Sequence, residues 1–194
     1  FQQYDVSVSL PGYSEVRVNG VQVFPGTTAL PQVRLQPSSG ETPTPQPIPV
    51  NTPVLFGDYP EKVPEDAVKP LPPPMNYIVL PDPVIPEYII VHDGVPADTT
   101  AANYWIPFKD YIKNVASSEI YSTWPTATIQ ANVLAILSFT LNRVYTKWYR
   151  SIGYDFTITN STAYDQAFSY GRTIYQEISV IVDNIFTCFL TRPN

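Results

Sequence analysis

Proline is the residue that most restricts what this chain of 194 residues can fold into. The chain contains 22 prolines, and 15 of them lie between Pro37 and Pro86. A segment with so few backbone N–H groups cannot form a helix or an interior strand. Two pieces with the composition of folded structure remain, residues 1–37 and 87–194.

The segment between these pieces, residues 38–86, is predicted to be an extended linker. Runs such as Thr42–Pro49 and Pro70–Pro74 favour polyproline II conformation and a semi-rigid spacer. A ligand for a proline-binding protein is the alternative. Interspersed apolar residues predict that the spacer packs along a domain surface; they are Val54, Leu55, Phe56, Tyr59 and Tyr77.

Charge and cysteine content exclude several classes of function. A net charge of -6 and a pI near 4.6 argue against a nucleic-acid partner, which would need clustered Lys and Arg. One cysteine allows no internal disulfide and no multi-cysteine metal site. Because Cys188 follows an apolar helical run, we expect a buried, inert thiol.

The longest apolar run predicts no membrane span. Val133–Leu141 is far shorter than the roughly 20 residues that a spanning helix needs. There is no basic segment followed by an apolar one, as in a signal peptide. Since Phe1 is not methionine and a strand pattern begins almost at once, we expect the chain to be processed or excised from a longer protein.

The N-terminal piece has the alternating pattern of β-strands. Valine and leucine alternate with polar residues in four runs, at Val6/Val8, Val16/Val18, Val21/Val23 and Val33/Leu35. Asn19-Gly20 predicts a two-residue hairpin turn, and further turns are predicted at Pro11-Gly12 and Pro25-Gly26. About 35 residues are too few to bury a sandwich core alone, so we expect missing strands or a partner chain to complete the sheet.

This piece resembles the second half of a carboxypeptidase regulatory-like domain. The resemblance lies in Tyr4–Tyr13, Val21–Thr27 and Val33–Pro37. It implies an immunoglobulin-type sandwich, here partial, that acts as a structural or adhesive module without catalysis.

The C-terminal piece is predicted to be mainly helical, so the chain belongs to the α+β class. A short strand at Tyr88–Val91 ends in a turn at Asp93-Gly94. Apolar spacing then predicts three helices, over about Pro107–Ser117, from Pro125 to about Arg150, and over about Arg172–Leu190. Glu119 lies at the corner between the first two helices, where a side chain can face a cleft while the helices fix its backbone.

Other polar residues of this piece have structural interpretations that we prefer. His92 has no surrounding motif, which favours a structural or surface histidine. Arg143, Lys147 and Arg150 form one stripe, interpreted as a solvated helix face rather than an anion or glycan clamp. Asp155 and Asp165 are candidates for auxiliary carboxylates, with loop capping preferred. Asn160–Thr162 matches a glycosylation sequon.

The region Ile106–Pro125, followed by Ile129–Val133, resembles the stage II sporulation protein D family of peptidoglycan lytic transglycosylases and amidase enhancers. The resemblance extends from about residue 87 to the C-terminus and implies that Glu119 is the catalytic residue. One carboxylic acid can protonate the leaving oxygen of a glycosidic bond if burial raises its pKa. Hydrolysis normally requires a second carboxylate, whereas in a lytic transglycosylase a hydroxyl of the sugar attacks.

Tyr121 and Trp124 lie beside Glu119 and are candidates for stacking on sugar rings, with a role in the core as the alternative. The arginine of the family falls at Leu137 or Ser138, and its later Cys and His residues fall near Thr157, Tyr164 and Asp165. No metal site or cofactor is therefore carried over. The glycine-rich segment with which members of the family continue does not occur in this chain.

Two functions remain open from the sequence. The first is an enzyme or enzyme fragment that cleaves or binds peptidoglycan glycan strands, with Glu119 as acid and base. The second is a non-catalytic structural or assembly protein of a cell surface, spore or extracellular appendage. Both imply an extracellular location, in the cell wall or spore envelope of a bacterium.

Overall fold

The structure is a computed structural model that describes residues 2–38, 54, 61–64, 67 and 82–190. Its described residues form a mixed α+β fold with three α-helices and small β-sheets of two or three strands. The strands are β1 (Gln2–Val8), β2 (Val16–Val23), β3 (Ala29–Leu30), β4 (Tyr88–His92), β5 (Asn103–Pro107), β6 (Ile158–Thr159) and β7 (Ile174–Tyr175). The helices are α1 (Phe108–Glu119), α2 (Thr126–Tyr145) and α3 (Gln176–Ile185).

The N-terminal hairpin pairs β1 with β2 in antiparallel register, and the predicted turns at Pro11-Gly12 and Pro25-Gly26 are confirmed. The predicted hairpin at Asn19-Gly20 is wrong. These two residues lie inside β2, opposite the single residue Asp5, and form a β-bulge. Gly20 adopts a φ of 71°, which glycine tolerates, and its N–H donates to the Asp5 carboxylate at 3.0 Å.

The predicted strand at Val33 and Leu35 is also wrong. Its residues are not assigned to a strand, although the Ser14 N–H donates to the Gln36 carbonyl at 2.9 Å and Tyr13 forms a single bridge with Pro37. The chain instead pairs earlier, where β3 lies antiparallel to β7. This pairing joins the N-terminal piece to the C-terminal piece.

The C-terminal piece is built on a three-stranded sheet in the order β5-β4-β6. Strand β4 is antiparallel to β5 and parallel to β6. One face of this sheet, with Ile89 and Val91, packs on the main core that the three helices complete. The opposite face carries Ile90, which packs with Tyr149 and Phe156 in a second, smaller cluster.

Helix α2 ends at Tyr145, five residues before the predicted end at Arg150. Lys147 adopts a left-handed φ of 49°, and the Trp148 N–H donates to the Arg143 carbonyl at 3.1 Å. The Lys147 N–H donates to the Val144 carbonyl at 3.1 Å, which completes a Schellman motif. Glycine usually occupies this left-handed position, so the sequence pattern did not indicate the helix end.

Helix α3 is also shorter than the predicted span of Arg172–Leu190. Ile174 and Tyr175 belong to β7, because they pair with Leu30 and Ala29. A distant pairing partner therefore determines the start of this helix, although the apolar spacing was continuous. Cys188 lies beyond the helix and is exposed, so the prediction of a buried thiol is wrong.

Part of the linker prediction falls within the described residues. Val54 is buried in the main core, as expected for an apolar residue of a spacer that packs on a folded surface. Leu55, Phe56, Tyr59, Tyr77 and both proline runs lie outside the described residues. Within the described ranges, none of the helices combines the length and apolar character that crossing a membrane requires.

Candidate functional site

Glu119 is the last residue of α1, at the predicted corner between two helices. Ile120 is extended and its N–H donates to the Ala116 carbonyl at 3.1 Å, which closes the helix. The Trp124 N–H then donates to the Tyr121 carbonyl at 3.2 Å, and Pro125 caps α2. The backbone on both sides of Glu119 is therefore fixed by regular structure.

The Glu119 carboxyl group is half-buried, and its Oε1 accepts a hydrogen bond from the Ala167 N–H at 2.8 Å. Burial raises the pKa of this carboxyl above its ordinary value. The Ala167 N–H and the Lys62 ammonium act in the opposite direction, but burial has the larger effect. Glu119 therefore retains a proton to a higher pH than an exposed glutamate does.

The segment that supplies Ala167, residues 165–173, is held against α1 and is called the site loop below. Asn114 contacts Ser169 twice: its Nδ2 donates to the Ser169 carbonyl at 2.8 Å, and its Oδ1 accepts from the Ser169 N–H at 3.0 Å. Arg172 donates from Nε to the Ser117 carbonyl at 2.9 Å. Sequence reasoning missed Asn114, although an asparagine on the buried side of a helix is a signal for such a contact.

The other end of the site loop is held by a buried ion pair between Arg143 and Asp165. Arg143 Nε lies 2.8 Å from Asp165 Oδ1, and the two side chains are only 4% and 0% exposed. Asp165 Oδ2 also accepts hydrogen bonds from the Tyr149 hydroxyl at 2.7 Å and from the Thr159 hydroxyl and N–H at 2.8 and 2.9 Å. Lys62 donates to the Asp165 carbonyl at 2.6 Å.

This ion pair corrects one prediction and extends another. The prediction of a solvated stripe is wrong for Arg143, because the last turn of α2 packs against the site loop. Lys147 and Arg150 are more accessible, and they help to line a cavity of about 200 Å³. The loop-capping interpretation of Asp165 is confirmed by its bonds to Thr159. Asp155 is exposed and accepts a hydrogen bond from Asn103 at 3.0 Å.

Tyr121 and Trp124 are close to Glu119 in sequence and pack on the main core as partly buried side chains. The Tyr121 ring lies edge-on to Phe24, with 5.6 Å between ring centroids, and 6.1 Å from the Trp124 ring. Phe24 belongs to the N-terminal piece, so Tyr121 contacts that piece as well as Trp124. The contacts match the alternative interpretation of both side chains as core residues.

A groove of about 620 Å³ adjoins the site loop and is called the polar groove below. Its lining includes Asp93, Ser118, Asn160, Ala167, Ser169 and Tyr170. Ser118 precedes Glu119, and Ala167 is the residue that binds the Glu119 carboxylate. The groove therefore runs beside the backbone that positions Glu119, and its size suits a ligand of several hundred Å³.

His92 and Asn160 are both engaged in hydrogen bonds. His92 is buried, its Nδ1 lies 2.8 Å from Asn103 Oδ1 and its Nε2 lies 3.2 Å from the Val95 carbonyl, as its structural interpretation predicts. The Asn160 amide donates to the Asp93 carboxylate. In the part of the chain that the structure describes, no three His, Cys, Asp or Glu residues are arranged to hold a metal ion.

Comparisons of this chain with protein-family models, with curated proteins and with solved structures returned no match. Function is therefore inferred from the residues and geometry described above.

Proposed function

We propose that this chain acts on peptidoglycan glycan strands as a lytic transglycosylase, with Glu119 as the acid and then the base. The observation that carries the proposal is the half-buried Glu119 carboxyl, whose pKa is raised by burial and whose neighbours Ser118 and Ala167 line the polar groove. A general acid with a pKa near neutrality can protonate the leaving oxygen of a glycosidic bond. Attack by a hydroxyl of the sugar itself then needs no second carboxylate.

The position of Glu119 in α1 supports a functional role. The C-terminal end of a helix carries partial negative charge, so a carboxylate there is unfavourable by about 0.3–1 kcal/mol. No basic residue lies in the last turn of α1 to offset this charge. The C-terminal end of α1 therefore destabilises the ionised carboxylate and favours the protonated acid that the chemistry needs.

We also propose a domain type for each of the two pieces and a cellular location for the protein. Residues 87–194 would be a stage II sporulation protein D-like domain, and residues 1–37 would supply strands of an immunoglobulin-type sandwich, joined by the proline-rich linker of residues 38–86. The β1 and β2 hairpin supports an antiparallel module, and it has no third strand among the described residues. Such a protein would act outside the cell, in the wall or spore envelope of a bacterium.

A second candidate is a non-catalytic structural or assembly protein of the cell surface. The contacts of Tyr121 and Trp124 with the core favour it, because these partly buried rings then stabilise the fold rather than bind a sugar. The hydrogen bond from the Ala167 N–H to Glu119 would in that case serve only to hold the site loop.

The substitution Glu119→Gln separates these two functions. Glutamine keeps an oxygen that can accept the Ala167 N–H, but it cannot donate a proton as an acid. We expect the variant to fold and to release no anhydro-sugar products from purified peptidoglycan, as measured by chromatography with mass spectrometry.

A matched control for this experiment is Glu177→Gln. The Glu177 carboxylate also accepts a backbone N–H, from Thr28 at 3.1 Å, but it lies at the start of α3. Its neighbours in the chain do not line the polar groove, whereas Ser118 and Ala167 beside Glu119 do. Product release should be retained in this control. Unchanged product release by the Glu119→Gln variant would contradict the catalytic proposal and favour the second candidate.

A further inference from the structure

One wall of the polar groove carries an exposed aromatic ring that stacks on a second, partly buried ring. Tyr104 of β5 and Tyr170 of the site loop stack with 4.4 Å between ring centroids and an interplanar angle of 25°. Tyr104 is partly buried against the main core, whereas Tyr170 is 55% exposed and lines the groove. The ring of Tyr170 is thus held by a second ring behind it while its outer surface faces solvent.

A carboxylate lies at the edge of this aromatic pair. The Tyr104 hydroxyl donates to Asp93 Oδ2 at 3.1 Å, and the Asn160 amide donates to Asp93 Oδ1. The Asp93 N–H donates to the Ala102 carbonyl at 2.9 Å, which fixes the backbone. Each carboxylate oxygen has further acceptor capacity, so Asp93 is positioned to accept hydrogen bonds from a ligand.

We propose that Tyr170, stacked on Tyr104, and Asp93 form a subsite that binds one pyranose ring of a neutral glycan strand. A pyranose has apolar C–H groups on its faces and hydroxyl donors around its edge. The Tyr170 ring would cover the apolar C–H groups, and the Asp93 carboxylate would accept hydrogen bonds from the hydroxyl groups.

The charge and the form of this site favour a sugar over other flat or polar ligands. Asp93 and the net charge of -6 both repel an anionic ligand. This repulsion argues against the stacked bases of a nucleic acid. The site also has a polar rim beyond Asp93, since Ser161, Thr162 and Ser169 line the same groove. Hydroxyl groups of this kind suit the many hydrogen bonds of a saccharide.

The identity of the glycan as peptidoglycan depends on the proposed function. The same groove extends to Ser118 and Ala167, which adjoin Glu119 in sequence and by hydrogen bond. A strand bound at Tyr170 would therefore extend along the groove toward the half-buried acid.

The test is the affinity of an uncharged glycan probe, an oligosaccharide of N-acetylglucosamine, measured by isothermal titration calorimetry. The full chain carrying Glu119→Gln serves as the background, so that no strand is cut during the measurement. We expect Tyr170→Ala in this background to weaken binding by about tenfold, as the loss of one aromatic contact implies. Tyr170→Phe, which keeps the ring, should bind within about twofold of the background, because the phenyl face supplies the same contact.

Trp105→Ala is the matched control for loss of an exposed aromatic ring. Trp105 is 69% exposed and follows Tyr104 in β5, so its side chain lies on the opposite face of the sheet. Its removal should leave the affinity unchanged. Unchanged affinity in the Tyr170→Ala variant, or an equal loss in the Trp105→Ala variant, would overturn the subsite.

This outcome is separable from that of the catalytic proposal. If Glu119 were not the acid, Glu119→Gln would leave cleavage unchanged while Tyr170→Ala still weakened glycan binding. If the subsite were wrong, Glu119→Gln would abolish product release while Tyr170→Ala left the affinity unaltered.

Discussion

At the scale of single residues, the surroundings of Glu119 have opposite effects on its charge. The protein interior disfavours the ionised carboxyl, and the Ala167 N–H and the Lys62 ammonium favour it. The interior has the larger effect, so the folded protein holds the proton more tightly than the unfolded chain does. This difference links the ionisation of Glu119 to the stability of the fold.

We predict a specific pH dependence of stability from Glu119. Its folded pKa lies above the ordinary value of 4.5, so its contribution to stability decreases as pH rises from below 4.5 through the folded pKa. The variant Glu119→Gln lacks this titration. The free energy of unfolding of the variant, relative to that of the wild type, should therefore increase as pH rises from below 4.5 through the folded pKa.

Urea unfolding of both proteins across this range measures the difference. The Glu177→Gln variant provides the reference for replacing a carboxylate that accepts a backbone N–H elsewhere. A wild-type minus variant difference that is constant with pH would show that Glu119 titrates as an exposed glutamate does.

The position of Glu119 at a helix corner could be predicted from sequence, because the apolar spacing on both sides and Pro125 are local signals. Its hydrogen bond to Ala167 could not, since the partner lies 48 residues away in a loop without regular spacing. The same reason hid the ion pair of Arg143, whose position in the last turn of a helix also suits a solvated cation. Local patterns indicate which residues are polar but not which distant group forms a hydrogen bond or an ion pair with them.

At the scale of elements, the site loop is held by side chains of α1 and α2 rather than by strand pairing. Asn114 and Glu119 of α1 bind its backbone, and Arg143 of α2 binds Asp165. The strongest of these contacts is the buried ion pair, because each partner would otherwise be a desolvated charge. The geometry of the polar groove therefore depends on Asp165, although Asp165 does not line it.

We predict that Asp165→Asn destabilises the protein by about 3–5 kcal/mol, because it leaves the Arg143 guanidinium buried without a carboxylate. The amide would also have one acceptor oxygen fewer than the carboxylate for the hydrogen bonds from the Tyr149 hydroxyl and the Thr159 N–H. The control is Asp155→Asn, at an exposed carboxylate with one hydrogen bond, for which we expect a cost below about 1 kcal/mol. Equal midpoints of urea unfolding for the two variants would contradict this role of Asp165.

The starts of α1 and α2 could be predicted from the sequence, whereas the end of α2 and the start of α3 could not. Pro107 and Pro125 precede α1 and α2 in the structure and are visible as local signals. The end of α2 depends on Lys147 in a left-handed conformation, and the start of α3 depends on β7 pairing with β3. Neither of these features has a local sequence signature, so the predicted helices were too long.

At the scale of the whole molecule, the N-terminal piece shares the core of the C-terminal piece. Phe24 is only 7% exposed and lies 5.6 Å from the rings of both Tyr121 and Tyr175. The Thr28 carbonyl accepts from the Gln176 N–H at 2.9 Å beside the pairing of β3 with β7. These contacts couple the hairpin of β1 and β2 to the helices.

We predict that Phe24→Ala destabilises the whole chain by about 3–5 kcal/mol, the usual cost of removing a buried phenylalanine. Because Phe24 contacts Tyr175 of β7 and Tyr121, which follows α1, amide hydrogen exchange should accelerate in β2 and also in β7 and at the C-terminal end of α1. The control Tyr4→Ala, at a ring that is 49% exposed, should change stability by less than about 1 kcal/mol. Faster exchange confined to β2 would contradict the shared core.

The measurement that tests the central claim most directly is the mass of the products that the full chain releases from purified peptidoglycan. Attack by a hydroxyl of the sugar retains all atoms of the strand, so the new ends should be anhydro-sugars that are one water lighter than hydrolysed ends. We expect such ends with the wild type and none with Glu119→Gln. Reducing, hydrolysed ends, or anhydro ends that persist in the Glu119→Gln variant, would contradict the assignment of Glu119 as the acid and base of a transglycosylase.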